Sequence, residues 1–316
     1  MGYNTEYINY NTKIKRIYHI SDIHINLQAK HNEYRYVFKN LYEYLKKEKE
    51  QYNITSNKEI ESCIVITGDI LHSKTELLPE CIELTRQFLT ELCKLMPTII
   101  IAGNHDLNIN NKERLDGLTP ITNGVDANLP LYYLKKSGLY HFGNIIWSVS
   151  SVRDYLIIPP SLIKGNNKTK ICLFHGRVNG ALLFNKSKLD GEINKKTNKT
   201  ITPESFRGYD YVLMGDIHKQ QYMNKEKTMA YSGSLIQQNH GESIKGHGVL
   251  VWDIENGSSK FDEIANNHCY YSHTIKDNVI NETIISCLKS KLAENIRLRL
   301  FMDNTPNSKL QEIISH

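Results

Sequence analysis

The chain has 316 residues, 40% hydrophobic and 23% charged, with a formal net charge of +5. That composition supports a sizeable core in one or two domains and excludes global disorder, and no apolar run approaches the ~18 residues of a membrane helix. The small excess of positive charge permits a polyanionic partner without demanding one.

The segment ahead of Arg16 has no apolar h-region, so no secretory signal is expected, and Glu6 stands where a myristoylation signal needs Ser or Thr. Ile14 to Ile20 reads as a first strand. Asn32 to Glu50 follows as a helix, its stripe carried by Tyr34, Val37, Phe38, Leu41 and Leu45. Cys63 to Thr67 is the next strand, and Glu80 to Leu95 the next helix, with Ile82, Leu84, Phe88, Leu89 and Leu92 as its apolar side. Further strands are read at Thr98 to Ala102, Ile145 to Val149, Ile171 to Phe174 and Tyr211 to Met214. Alternating strands and helices predict a layered α/β fold. The strand-rich part from Ile145 to Ile254 favours a mixed sheet or β-sandwich over a purely parallel arrangement.

Two polar segments, Lys164 to Lys170 and Lys186 to Thr200, read as loops; the second, more basic one is either a solvated surface loop or one facing nucleic acid. Composition turns polar at Glu255 to Lys260. Beyond it come a helix pattern from Glu282 to Leu292, a strand from Ile296 to Phe301 and a short final helix. This gives an expected division into residues 1–255, carrying the chemistry, and 256–316, a small appendage. The six cysteines, Cys63, Cys81, Cys93, Cys172, Cys269 and Cys287, form no CxxC pair. They read as buried thiols in a reducing, intracellular compartment: cytoplasm, a nucleus, or a virus- or phage-infected cell.

Five motifs stand at the C-terminal ends of expected strands: Asp22-Ile23-His24, Gly68-Asp69, Gly103-Asn104-His105-Asp106, His175, and Gly215-Asp216-Ile217-His218. Open α/β sheets gather ligands at those ends, so the five can converge on one site. Carboxylate, imidazole and amide oxygen together suit Mn²⁺, Fe²⁺ or Zn²⁺ better than an all-oxygen Mg²⁺ or Ca²⁺ site. Asp69, on the middle strand, is the natural bridge between two cations, and Asn104 a neutral oxygen donor. Glycines before Asp69, Asn104 and Asp216 let the backbone turn sharply. Of the thirteen histidines, His24, His72, His105, His175 and His218 lie in or beside the motifs. His19, His141, His268 and His316 read as ordinary core or surface residues.

This order of motifs resembles the calcineurin-like metallophosphoesterase superfamily over about Ile14 to Ile254. The resemblance implies a two-layer mixed β-sandwich flanked by helices, with two divalent metal ions, Mn²⁺ foremost and Fe²⁺ or Zn²⁺ as alternatives. It implies Asp22, His24, Asp69 and His218 around one ion, and Asp69, Asn104, His175 and Asp216 around the other. Asp216 departs from the usual histidine. Three aspartates against two dications leave one net positive charge where a histidine would leave two, so tighter metal binding and weaker polarisation of phosphate are expected.

Two further stretches, Gly68 to Lys74 with His72, and Tyr231 to Glu242 followed by Lys245 to Ile254, look like the DNA double-strand-break repair nucleases of the SbcD and Mre-eleven type. They imply a DNA exonuclease or endonuclease acting through a hydroxide activated by two metals. His105 is then the candidate acid for the leaving oxygen, with Asp106 orienting its imidazole. His72 is the candidate for positioning the phosphodiester or protonating the leaving group, or else a packed helix-start histidine. The implied partners are DNA, a second copy of the chain, and an SMC-like ABC ATPase of the SbcC type. The last docks a helical segment beyond the cap that the chain, ending at His316, does not reach. Residues 256–316 would then be a short or partial α/β DNA-binding cap. Two other readings stay open: a metallophosphatase or phosphodiesterase acting on phosphoproteins or small nucleotides, and a DNA-end-binding protein without catalysis.

Overall fold

The computed structural model describes residues 3–10, 12–52, 61–111, 113–165, 167–276 and 293–303. Its strands are β1 Thr5–Tyr7, β2 Arg16–Ile20, β3 Ser62–Thr67, β4 Thr98–Ile101, β5 Leu131–Tyr133, β6 Gly138–Phe142, β7 Ile145–Ser150, β8 Thr169–His175, β9 Ile193–Asn194, β10 Lys199–Thr200, β11 Tyr211–Gly215, β12 Gln221–Tyr222, β13 Met229–Tyr231, β14 Gly248–Asp253, β15 Ser258–Glu263, β16 His268–Lys276 and β17 Asn295–Asp303. The helices are α1 His31–Tyr52, α2 Pro79–Leu95 and α3 Leu118–Asn123.

Two mixed sheets carry the fold. One runs β15-β14-β2-β3-β4-β5 and is parallel from β2 to β5; the other runs β1-β6-β7-β8-β11-β13-β12 and is parallel from β7 to β13. Each central strand is buried on both faces, which is why β3 (SCIVIT) is an unbroken apolar run rather than an alternating one. Successive side chains nevertheless go to different cores. Cys63 and Val65 join Ile17, Trp147, Leu173, Leu213 and Trp252 in one cluster drawn from both sheets. Ile64 and Ile66 join Tyr18, Ile20 and the stripes of α1 and α2 in the other. Trp147 and Trp252 are fully buried; at 150–250 Å² and 25 cal/mol per Å², each removes from water surface worth about 4–6 kcal/mol.

In α1 the expected stripe is the buried one. In α2 four of the five expected residues, Leu84, Phe88, Leu89 and Leu92, are buried together with Cys81, Thr85 and Cys93, and Ile82 is 36% exposed. The helix starts on Pro79, whose missing N–H costs nothing at the first turn. It stops at Met96 ahead of Pro97, as a residue before proline favours extended backbone. The basic segment from Lys186 to Thr200 is more than a loop, because β9 and β10 pair in it as an antiparallel hairpin.

The divide expected after Glu255 falls in a β-turn. β15 pairs along its whole length with β14 and completes the six-stranded sheet, so the polar run is the turn of that hairpin. A separate two-stranded parallel sheet, β16 with β17, begins at His268 and includes the expected strand Ile296 to Phe301. The helices expected at Glu282 to Leu292 and after β17 lie outside the described residues. The cysteines described, Cys63, Cys81, Cys93, Cys172 and Cys269, are buried free thiols. None of the described helices is long and apolar enough to cross a membrane.

Candidate metal centre

The C-terminal ends of β2, β3, β4, β8 and β11 meet at one edge of the sandwich. The loops after β2 and β3 stay zipped beyond the strands, Asp22 N–H to the Gly68 carbonyl at 3.1 Å and His24 N–H to the Asp69 carbonyl at 2.9 Å. The turns that aim the donors are strained: Asp22, His24, Asp69 and Asp216 all have φ between 50° and 95°. Such backbone costs on the order of 1–3 kcal/mol per residue and persists only where the surroundings enforce it. The glycines are required for space: a Cβ at Gly68, whose φ is also +92°, would lie 2.5 Å from His175 Nδ1, and one at Gly103 would lie 2.5 Å from the Asp69 nitrogen and 2.6 Å from His175 Cε1.

The residues selected from the sequence come together. Asp69 reaches in two directions: one carboxylate oxygen is 3.6 Å from His24 Nε2 and the other 3.4 Å from His175 Nε2. His24 Nε2 is 3.0 Å from His218 Nε2 and 4.0 Å from Asp22. His175 Nε2 is 2.9 Å from Asn104 Oδ1 and 3.7 Å from Asp216. Asp22, His24 and His218 form one compact donor group, and Asp22, Asp69 and His175 another. Ligands about 2.1 Å from a shared cation stand roughly 3–4 Å apart, so these separations and this donor chemistry fit a pair of divalent ions. His72 and His105 flank the cluster, their ring centroids 5.6 and 4.8 Å from that of His24.

Around the donors, hydrogen bonds fix the ring tautomers. His175 Nδ1–H donates to the Thr67 carbonyl at 2.7 Å, leaving Nε2 to face the cluster. His218 Nδ1–H donates to Glu242 at 2.7 Å. The Glu242 carboxylate also accepts the Gln238 backbone N–H at 2.8 Å and the Asn239 amide at 2.9 Å. The Gln238 side chain donates to the Ile23 carbonyl at 3.0 Å, between Asp22 and His24. The stretch Tyr231 to Glu242, picked out by its pattern alone, therefore builds the wall of the site. Sequence reasoning finds no role for Glu242; its only signal is its place in that stretch.

Asp106 is a correction. Its carboxylate does not touch the His105 ring, whose Nδ1–H donates instead to the His72 carbonyl at 2.7 Å. Asp106 is fully buried and accepts the backbone N–H groups of Gly103 and Leu71, each at 2.8 Å, stapling the β4 loop to the β3 loop. The neighbour in sequence is the wrong orienting group because the chain turns between them.

Charge is unevenly stabilised here. Burial raises the Asp106 carboxyl to about 7, with the charge of Asp69 adding to it, and burial raises Asp216 to about 6 despite His175. Burial also opposes charge on Asp69, yet the His175 charge and hydrogen bond hold it well below the usual carboxylate range. For His218, burial is outweighed by the Glu242 hydrogen bond and by Asp22, and the imidazole rises to about 9. Burial drives His24 far below the ordinary histidine value. His19 is a core residue as expected: fully buried, lowered to about 3 by burial, with Nε2 2.8 Å from the Thr67 hydroxyl.

A two-sheet α/β sandwich with this donor set at its edge has the architecture of a metal-dependent phosphoester hydrolase. The chain belongs to the calcineurin-like phosphoesterases, which residues 15–220 match. It is 44% identical over 313 residues to an uncharacterized protein of Acanthamoeba polyphaga mimivirus, covering 96% of this chain and 22% of that protein. It is 28% identical over 231 residues to a component of the SbcCD nuclease of Staphylococcus epidermidis, covering 65% of this chain and 59% of that one. A putative phosphoesterase of Invertebrate iridescent virus 6 is 27% identical over 215 residues, with coverage of 61% and 64%. The chain thus spans less than two thirds of each of these relatives.

Proposed function

We propose that this phosphoesterase is a Mn²⁺-dependent DNA exonuclease or endonuclease, acting in double-strand-break repair or recombination. The observation that carries the reading is the Tyr231 to Glu242 stretch. It is the most discriminating of the stretches that look like the repair nucleases, and through Glu242 and Gln238 it holds His218 and the Asp22–His24 loop. Similarity to the staphylococcal SbcCD component supports the same reading, with DNA and an SbcC-type ATPase as partners.

In this reading Asp22, His24, Asp69 and His218 hold one cation, and Asp69, Asn104, His175 and Asp216 hold the second. The cations, when bound, polarise the phosphate and lower the pKa of water from 15.7 to about 7, which supplies the nucleophile. Asp69 offers one oxygen to each side. His105, its Nδ1–H engaged by the His72 carbonyl, is left with Nε2 to carry the proton for the leaving oxygen. His72, exposed beside it and with its imidazole pKa lowered by partial desolvation and by the charge of His105, lines the same wall and positions the phosphodiester. Asp106 acts at one remove, by fixing the loop that carries Asn104 and His105. We further take residues up to Glu263 as the nuclease body and β16–β17 as the start of a DNA-binding cap.

The test is incubation of the purified chain with Mn²⁺ and end-labelled linear DNA, beside p-nitrophenyl phosphate and its bis-ester. Shortening or nicking of DNA that disappears in Asp69→Ala is the expected result. Monoester cleavage with DNA untouched supports the second reading, a phosphatase or phosphodiesterase of phosphoproteins or small nucleotides. That reading is favoured by similarity to the iridescent virus phosphoesterase.

A further inference from the structure

The strands that end in metal donors have neighbours whose ends lie on the same edge. β5 runs parallel to β4, and β7 parallel to β8. The segments that follow β4, β5 and β7 enclose a cavity of about 600 Å³, whose wall starts at Leu107, next in sequence to the Asn104-His105-Asp106 loop. A backbone hydrogen bond of 2.8 Å from Gly117 to the Asp106 carbonyl fastens the wall to that loop.

The lining carries four cationic side chains, Arg114, Lys135, Lys136 and Arg153. Its acids Asp116 and Asp154 are engaged largely by other groups of the lining. Asp116 takes Lys135 at 3.2 Å, the Thr119 backbone N–H at 2.7 Å and the Tyr133 hydroxyl at 3.1 Å. Asp154 accepts the Ser137 hydroxyl at 2.5 Å and the Leu156 N–H at 3.2 Å. Glu113 is exposed at the rim. Among the described residues no carboxylate pairs with Arg114, Lys136 or Arg153 in an ion pair. The Arg153 Nη1 atom is buried with no hydrogen-bond acceptor at all. An anion in the cavity is attracted by the lining cations that no described carboxylate neutralises, Arg114, Lys136 and Arg153.

Neighbouring strands lie 4.7–4.9 Å apart, so a cavity one strand outward on both sheets sits on the order of 5–10 Å from the donors. The ~3.4 Å axial rise is only a lower bound on the distance between successive phosphates of one strand, which the sugar-phosphate path lengthens to about 6–7 Å, so that separation is about one nucleotide. We propose that this cavity is a second phosphate site, which holds the backbone phosphodiester next along the strand from the one at the metal donors. The proposal rests on the nuclease reading: a phosphoprotein or mononucleotide has no second phosphodiester to place there.

The test is fluorescence anisotropy of a labelled single-stranded oligothymidylate with the full chain in EDTA, across a salt series, so that nothing is cleaved. Arg153→Gln and Lys136→Gln are each expected to weaken binding about tenfold, the loss of one charge-assisted contact. Each is also expected to flatten the slope of log K against log salt by about 0.7, the value for one phosphate contact on a single strand. Lys39→Gln, exposed on α1, serves as the general-charge control and should change neither. Lys136 is itself exposed, so its variant carries little risk to folding. Wild-type affinity and slope in both variants, an equal loss in Lys39→Gln, or no binding by the wild type overturns the proposal. Failure of the nuclease reading shows separately, as uncut DNA in Mn²⁺ with the slope change intact.

Discussion

Side chains one contact behind the candidate donors are placed to tune a metal site. Glu242 is the clearest: its side chain is 5% exposed, and it holds His218 in the tautomer that turns Nε2 to the cluster. Such partners usually govern metal affinity by 10–100-fold. Glu242→Gln keeps an acceptor but loses the charge, so Mn²⁺ affinity should fall about tenfold. Calorimetric titration checks it, and an unchanged affinity would remove Glu242 from the site's workings. Asp216 is argued from charge. Asp216→His restores one positive charge to the loaded site, so Mn²⁺ should bind more weakly and turnover at saturating metal should rise. If both quantities stay at wild type, the electrostatic account of that substitution is wrong. His105→Asn should retain both cations and lose most turnover; loss of metal instead would make His105 a ligand. At this scale the donors were legible because their residue types and spacing are chemical requirements. The left-handed φ angles of Asp22, His24, Asp69 and Asp216 were not, since no residue type there announces them.

Strand ends and their glycines decide whether those donors meet. Periodicity located α1 and the central strands because each buries a continuous face. It misplaced Ile82 because a stripe of five apolar residues does not fix rotation when Cys81, Thr85 and Cys93 can also be buried. It missed β9–β10, whose four paired residues carry no alternating pattern. The turn glycines look alike in sequence, and only the fold shows that Gly68 and Gly103 both need their missing Cβ and that Gly68 needs its φ as well. Gly103→Ala places a methyl against the Asp69 nitrogen and the His175 ring, both buried, so the loop must shift. Stability should drop by about 1–3 kcal/mol, the usual cost of overpacking. Metal affinity should drop with it, because the displaced groups are donors. Urea unfolding read beside Mn²⁺ titration tests the pairing; lost stability with normal metal binding would mean that the loop relaxes away from the donors.

Across the whole molecule, β16–β17 is tied to the body by few but specific contacts. Gln237 forms a two-way amide pair with the backbone of Tyr270, at 3.0 and 2.8 Å, and the backbone carbonyl of Glu242 accepts from the same side chain. Strand β16 and the donor cluster therefore share one short segment. On the other side Glu33, 1% exposed on α1, receives Arg297 of β17 at 2.6 Å and the Asn266 amide at 2.9 Å. None of this was legible from sequence, because α1 and β17 are separated by most of the chain and Glu33 reads as an ordinary first-turn acid. Arg297→Ala leaves a buried carboxylate with a single neutral partner, and removing one member of such a pair costs about 3–5 kcal/mol. Asn266 and the 29% exposure of Arg297 place the expectation near the low end, about 3 kcal/mol in urea unfolding. The cost belongs to the stranded charge more than to the lost contact. Adding Glu33→Gln to Arg297→Ala should therefore recover most of it, whereas a pair that mattered mainly as a mechanical tie would leave the double variant as unstable as the single one.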